Sequence, residues 1–231
     1  MCGRFALYSD PEILARRFGV PPPPDYQPHY NIAPSQPILM LRRPGEEKEF
    51  SLARWGLVPH WAKEVKTGYS MINARAESVA VKPAFRAAFR RRRCLIPADG
   101  FYEWQQKPGS KLKQPWFVTL KEGQPMAFAG LWERWYPPQE QDGEPLESCT
   151  IIVTDANKLM RKIHDRMPVI LSPETWETWL DPMYNDVPAL QSLLKPYPPE
   201  ELTAWPVTAK VNNPRNDTPD CIEPAPNPGG I

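Results

Sequence analysis

Residues 93–104 read Arg-Cys-Leu-Ile-Pro-Ala-Asp-Gly-Phe-Tyr-Glu-Trp. Two apolar runs, Cys94 to Pro97 and Phe101 to Trp104, flank an Asp99-Gly100 turn signal, so the stretch predicts two strands around that turn. Working outward, Gly3 to Tyr8, Pro37 to Leu41, Phe50 to Trp55, Trp116 to Leu120, Ala127 to Trp132, Thr150 to Val153 and Val169 to Leu171 read as further short strands. Helices are few. Asp10-Pro11-Glu12 starts one, with Asp as cap, Pro at the first helical position and Glu on the dipole, and Ile13, Leu14 and Phe18 give it an apolar face ending near Gly19. Pro83 to about Arg93 carries Phe85 and Phe89 at i, i+4 spacing. Asn157 to about Ile163 allows one or two helical turns. Ser172-Pro173-Glu174 opens a helix whose apolar side is Trp176, Trp179 and Leu180, and Val187 to Leu194 is another short one. Pro21 to Pro24 is a stiff polyproline II linker, Asn31 to Ser35 a turn-rich loop, Gly56 to Lys66 a loop carrying Trp61, residues 137–147 a polar surface loop, and residues 209–231 mostly irregular. Strands dominate without βαβ alternation. The expected fold is therefore α+β, a largely antiparallel, barrel-like sheet with short helices in a single domain over residues 1–231.

Composition narrows the function classes. The chain has 231 residues, enough for one domain or two small ones sharing a core. Nine Trp, eight Tyr and eight Phe are too many large apolar groups to leave in water, which excludes disorder throughout. No stretch approaches the roughly 18–20 apolar residues of a membrane span. Arg4, Asp10, Glu12, Arg16 and Arg17 interrupt any apolar signal region, so the expected compartment is the cytoplasm, beside the nucleoid in a bacterium, or the nucleus in a eukaryote. Proline is 31 of 231 residues and glycine only 12, which favours short elements. The formal net charge of +1 means that a nucleic-acid partner must be met by a local basic patch. Cys2, Cys94, Cys149 and Cys221 form no C-x-x-C pair, and His29, His60 and His164 are the only histidines, so no metal site is expected and the thiols are expected free and mostly buried.

Cys2 is a special case. Removal of the initiator Met, normal before a small second residue, would leave a free α-amine beside a thiol. The amine, with a pKa of roughly 7.7–8, is partly neutral at pH 7, and the thiol supplies a thiolate when its pKa is lowered. Such a 1,2-aminothiol condenses with an aldehyde to an imine and then closes a five-membered thiazolidine. On position alone, Cys2 reads first as a small buried residue. Glu103, flanked by aromatics, is a candidate general acid if desolvated, or a solvent-facing strand residue. His164, in Ile-His-Asp-Arg-Met-Pro, suits proton transfer near neutral pH, or a hydrogen-bonded loop. Asn73 can orient a nucleophile or serve a turn. Lys82, Arg86 and Arg90 through Arg93 place six basic residues and no acidic one in positions 82–93, with Arg86, Arg90 and Arg93 on one helical side suited to phosphates, or simply solvated. Trp61 can stack on a base or join a core.

The stretches MCGRFA (1–6), YNIAPS (30–35), RWGLVPHW (54–61), INARAES (72–78), RCLIPADGFYEW (93–104), FAGLWE (128–133), IIVTDAN (151–157), IHDRMPVIL (163–171) and VNNPRND (211–217) together resemble the SOS response-associated peptidase (SRAP) family, in order and to about residue 223. The resemblance implies a monomer that binds single-stranded DNA or DNA junctions bearing an abasic site and forms a thiazolidine crosslink, with no cofactor and no membrane. It implies Cys2 as nucleophile, Asn73 as positioning group, Glu103 as acid/base in sugar ring opening and His164 in proton transfer and crosslink reversal. It associates Arg4, Asn31, Pro34, Trp61, Arg75, Thr154 and Arg166 with the DNA-binding face. One departure is Ala62, where the bacterial pattern carries a second Trp. The rival readings are a cysteine peptidase or N-terminal-nucleophile amidohydrolase using Cys2, His164 and Asn73, and a non-catalytic nucleic-acid reader using the arginine patch.

Overall fold

The computed structural model describes residues 2–109, 111–139 and 143–226. Met1, residues 140–142 of the expected polar loop and residues 227–231 of the expected tail lie outside them. In chain order the elements are β1 (Phe5–Leu7), α1 (Pro11–Phe18), β2 (His29–Ile32), β3 (Pro37–Arg42), β4 (Glu49–Trp55), β5 (Asn73–Arg75), α2 (Arg86–Arg91), β6 (Arg93–Ala98), β7 (Gly100–Gln106), β8 (Lys113–Leu120), β9 (Met126–Trp135), β10 (Leu146–Asp155), β11 (Arg166–Pro168), α3 (Trp176–Leu180), α4 (Val187–Ser192) and β12 (Leu202–Pro206).

The strands form two sheets. β10, β4, β3, β6 and β9 pair in that order, and β9 pairs back to β10, closing a five-stranded barrel with β11 and β5 attached to β10. The second sheet runs β12-β8-β7-β1-β2. Pairings are antiparallel except β10 with β4 and β10 with β5. The expected α+β class with a largely antiparallel, barrel-like sheet is what the chain forms. Closure leaves the barrel strands few free edges.

The Asp99-Gly100 step does not make a hairpin. β6 belongs to the barrel and β7 to the second sheet, so the chain changes sheets here. The buried Asp99 carboxylate holds the crossing, accepting from the Tyr8 and Ser9 backbone N–H groups at 2.6 and 2.7 Å and from Ser9 Oγ at 2.5 Å. A Cβ on Gly100 would lie 2.2 Å from Phe117 Cζ, so the crossing needs glycine. Aromatic edges then join the sheets: Phe5 of β1 meets Trp55 of β4 and Phe128 of β9 at centroid distances of 5.2 and 5.9 Å, and Phe101 of β7 meets Phe128 at 6.0 Å.

Other elements shift from expectation. Asn31 and Ile32 are strand residues rather than loop. The strand expected at Val169 to Leu171 lies earlier, in β11, with Ile170 making a single bridge to Phe128. The turns expected from Asn157 reduce to a 3-10 turn at Met160–Lys162. β12 was not foreseen. α1 forms as expected, capped by Asp10 Oδ1 on Glu12 N–H and ended by Gly19 in the left-handed region.

Candidate active site

The segment preceding β1 stays beside β7, because Tyr102 N–H donates to Arg4 O at 3.0 Å. That course brings Cys2 within the field of Glu103. Cys2 is wholly buried, and burial first, then the Glu103 charge, pushes its thiol up, against a hydrogen bond from the Arg4 backbone N–H. The thiol therefore keeps its proton at neutral pH until a base takes it. Glu103 is itself only 2% exposed. It shares a strand face with Phe101, which points at the barrel. Burial raises its carboxyl above the ordinary carboxylate value, with His164 among the groups pulling it back down. A carboxyl in that condition can hold a proton and release it nearby.

β10 gathers most of the remaining residues. Asn73 stands opposite Ile151 and Arg75 opposite Val153 on one side. Thr154 stands opposite Met167 and Asp155 opposite Arg166 on the other. His164 lies two residues before the start of β11, and its Nδ1 accepts the Arg166 backbone N–H at 3.0 Å. Asp165 Oδ1 is 2.9 Å from the same nitrogen, and Nδ1 cannot accept from one and donate to the other at once. The Arg166 backbone N–H can only donate, so with Nδ1 accepting the ring carries a hydrogen on Nε2. Asn73 donates to Ile72 O at 3.1 Å, whereas its Oδ1 is buried with no hydrogen-bond partner among the described residues. An acceptor left in this state is ready for an incoming donor.

Trp61 is 54% exposed. It is held out by a tight turn in which Ala62 N–H donates to Pro59 O at 2.8 Å and Trp135 Nε1 donates to Ala62 O at 2.7 Å. Below it, Gly56 with φ 126° crosses Gly68 so closely that a Cβ on Gly56 would lie 2.6 Å from Gly68 O. Ala62 is buried under Trp135, so this loop presents one aromatic at its tip.

Asn31 is clamped inside the fold. It is buried; its Oδ1 accepts from Arg4 Nη1 at 2.8 Å and its amide donates toward Val211 O, Asn213 O and Asn216 O at 3.2, 3.1 and 2.6 Å. Asp217 completes this clamp, accepting from the Tyr30 and Asn31 backbone N–H groups at 2.6 and 2.9 Å. The VNNPRND stretch thus fixes β2 and Arg4, and Arg4 lies 5.8 Å over the half-buried Trp104 ring. Pro34, in the turn after β2, is half-buried, and Thr154 is buried with its hydroxyl on Leu194 O at 3.3 Å.

The basic segment divides. Arg86 and Arg90 are exposed on α2, which packs on β6 and β9. Arg93 is not on their helical side: it starts β6, is 3% exposed, and donates to the carbonyls of Phe89, Arg90, Trp179, Asp181 and Tyr184. Five backbone acceptors turn that guanidinium into a structural bolt between α2 and α3, unavailable to phosphate. Two residues within the quoted motifs went unremarked in the sequence. Glu77 forms a bidentate pair with Arg166, and Asp217 anchors β2; no local pattern marks either.

A cavity of about 550 Å³ lies between residues 170–175 and 192–201 and includes none of Cys2, Asn73, Glu103 or His164. A second, of about 380 Å³, is lined by Thr154 and Arg166. Among the described residues no group of three or more His, Cys, Asp and Glu side chains could hold a metal ion.

Comparison with known proteins shows the family. Residues 1–214 match the family model described as SOS response associated peptidase (SRAP). The chain is 47% identical over 226 residues to Abasic site processing protein YoqW of Bacillus subtilis, covering 96% of this chain and 99% of the relative. It is 37% identical over 227 residues to Abasic site processing protein HMCES of Xenopus tropicalis, covering 85% of this chain and 66% of that one. A crystal structure of a protein from Bacteroides thetaiotaomicron superposes with a TM-score of 0.85 at 26% identity, covering 97% of this chain and all of the other. The motifs from Cys2 to Asp217, the fold and the length of the match place the chain in one family: it belongs to the SOS response associated peptidases.

Proposed function

We propose that this protein processes abasic sites by trapping them covalently in single-stranded DNA through Cys2, once Met1 has been removed. The relatives named as abasic site processing proteins support the substrate class. The observation that carries the chemistry is that Cys2 and Glu103 are both buried, on segments held side by side by the Tyr102 N–H to Arg4 O bond.

An abasic deoxyribose is mostly a closed hemiacetal, and opening it requires one proton removed from the anomeric hydroxyl and one delivered to the ring oxygen. Glu103, buried and inclined to hold a proton, suits both transfers. The Cys2 α-amine then adds to the aldehyde carbon and water leaves, giving an imine. The thiol sulfur adds to that carbon while its proton passes to the nitrogen, closing the thiazolidine. Asn73 Oδ1 is the acceptor that would orient the amine. His164, with hydrogen on Nε2, supplies proton transfer in the reverse direction. Arg75 and Arg166 would supply cations to flanking phosphates, and exposed Trp61 offers a base-stacking face worth about 1–3 kcal/mol.

The test uses a uracil-containing single strand treated with uracil glycosylase. A heat-stable, slower-migrating band is expected, and Cys2→Ala abolishes it. Hydrolysis of unrelated peptides with no DNA adduct would instead favour the amidohydrolase reading.

A further inference from the structure

Arg166 reaches the candidate site with its fork already filled. Nη1 donates to Glu77 Oε2 at 3.0 Å and Nη2 to Glu77 Oε1 at 2.7 Å, while Asp155 Oδ1 lies 3.3 Å from Nη1. Two parallel bonds from one guanidinium to two oxygens is also the geometry with which arginine holds a phosphodiester. The pair lines the cavity of about 380 Å³ together with Thr154, Gln191 and Leu194, and the Arg166 backbone is tied to His164. The two partners differ in freedom. The Arg166 side chain is 21% exposed, whereas Glu77 is 50% exposed. Glu77 can therefore swing into water without stranding a buried charge, and Arg166 stays in place.

We propose that Glu77 is a resident stand-in for phosphate: the DNA backbone must displace its carboxylate from Arg166, and this exchange keeps affinity for intact strands low. The inference rests on the reading of this site as one that captures abasic DNA. An intact strand that wins the exchange binds reversibly and leaves. A strand bearing an abasic site is retained by its covalent bond however weak the initial contact. Glu77 is thus a specificity-determining residue.

The test measures reversible binding of an intact single-stranded oligonucleotide by fluorescence anisotropy across a salt series. Glu77→Gln keeps the side-chain shape and removes the charge. It is expected to tighten binding about three- to fivefold, the size of an exposed ion pair, with the log-log salt slope nearly unchanged because Arg166 meets the same phosphate in both complexes. In an Arg166→Gln background the same substitution should leave the affinity unchanged. Weakened or unchanged binding by Glu77→Gln would show that Glu77 orients Arg166 for DNA, overturning the proposal. A gain that persists without Arg166 would mean a general charge effect and overturn it equally. Because the oligonucleotide is intact, failure of the covalent chemistry does not move this readout. Absence of DNA binding by every form would sink both readings together.

Discussion

Replacing Asn31 by Ala separates two roles for this residue, DNA contact and internal clamp. The carboxamide has two hydrogens for three carbonyls, so it makes two full bonds shared among Val211 O, Asn213 O and Asn216 O. Two of those carbonyls keep other partners when it is removed: Val211 O still accepts Arg4 Nη1 at 2.6 Å, and Asn213 O still accepts Asn216 N–H at 3.0 Å. Asn216 O keeps only a thiol contact from Cys221 at 3.4 Å and is effectively orphaned, a loss of about 1–3 kcal/mol. The charged bond from Arg4 Nη1 to Oδ1 adds about 1.5–3 kcal/mol. Asn31→Ala should therefore lower unfolding stability by about 2.5–6 kcal/mol, read as a shifted midpoint at unchanged slope in equilibrium urea unfolding. A loss below about 1 kcal/mol, together with weaker DNA binding in the folded protein, would refute the clamp and return Asn31 to the DNA face.

Glu103→Gln should slow crosslinking at saturating DNA by about 10²–10⁴-fold and bind DNA nearly as well as the parent; equal losses in rate and affinity would make Glu103 structural. The same variant should be more stable than the parent at pH 7. Between the ordinary carboxyl value of 4.5 and the raised folded-state value the native protein holds the extra proton, so parent stability falls as pH rises through that window, and the advantage of Gln should vanish below it; melting curves at pH 4 and 7 read this directly. Trp61→Ala should weaken single-strand affinity about 5- to 150-fold if a base stacks on the indole, with the melting temperature nearly unchanged because the ring is 54% exposed. Gly100→Ala should cost at least about 1–3 kcal/mol through overpacking, since its methyl would lie 2.2 Å from the Cζ of fully buried Phe117; a melting temperature within a degree of the parent would show that the sheet crossing can open.

What was legible in the sequence was local. The Asp10 cap, the Pro11 position and the Gly19 stop read correctly because their geometry is settled within one helix. The strands on either side of Asp99-Gly100 were readable, but their destinations were not: an Asp-Gly step serves a hairpin or a crossing equally well, and the choice rests on Ser9 and Phe117, far away in the chain. Arg93 looked like its neighbours because a run of arginines carries no mark of which one finds carbonyls on another helix. Asn31 pairs with residues about 180 positions later, beyond any periodicity. The candidate site was legible in another sense. Cys2 at the second position and Glu103 between aromatics pointed to chemistry by type, while their meeting needed the pairing of β1 with β7.

The most direct measurement is tandem mass spectrometry of the proteolysed adduct formed on abasic single-stranded DNA. The account predicts a peptide beginning at Cys2, lacking Met1, with the sugar remnant joined through both the amino nitrogen and the sulfur. An adduct on a chain that still carries Met1, or one attached at a lysine, would contradict it.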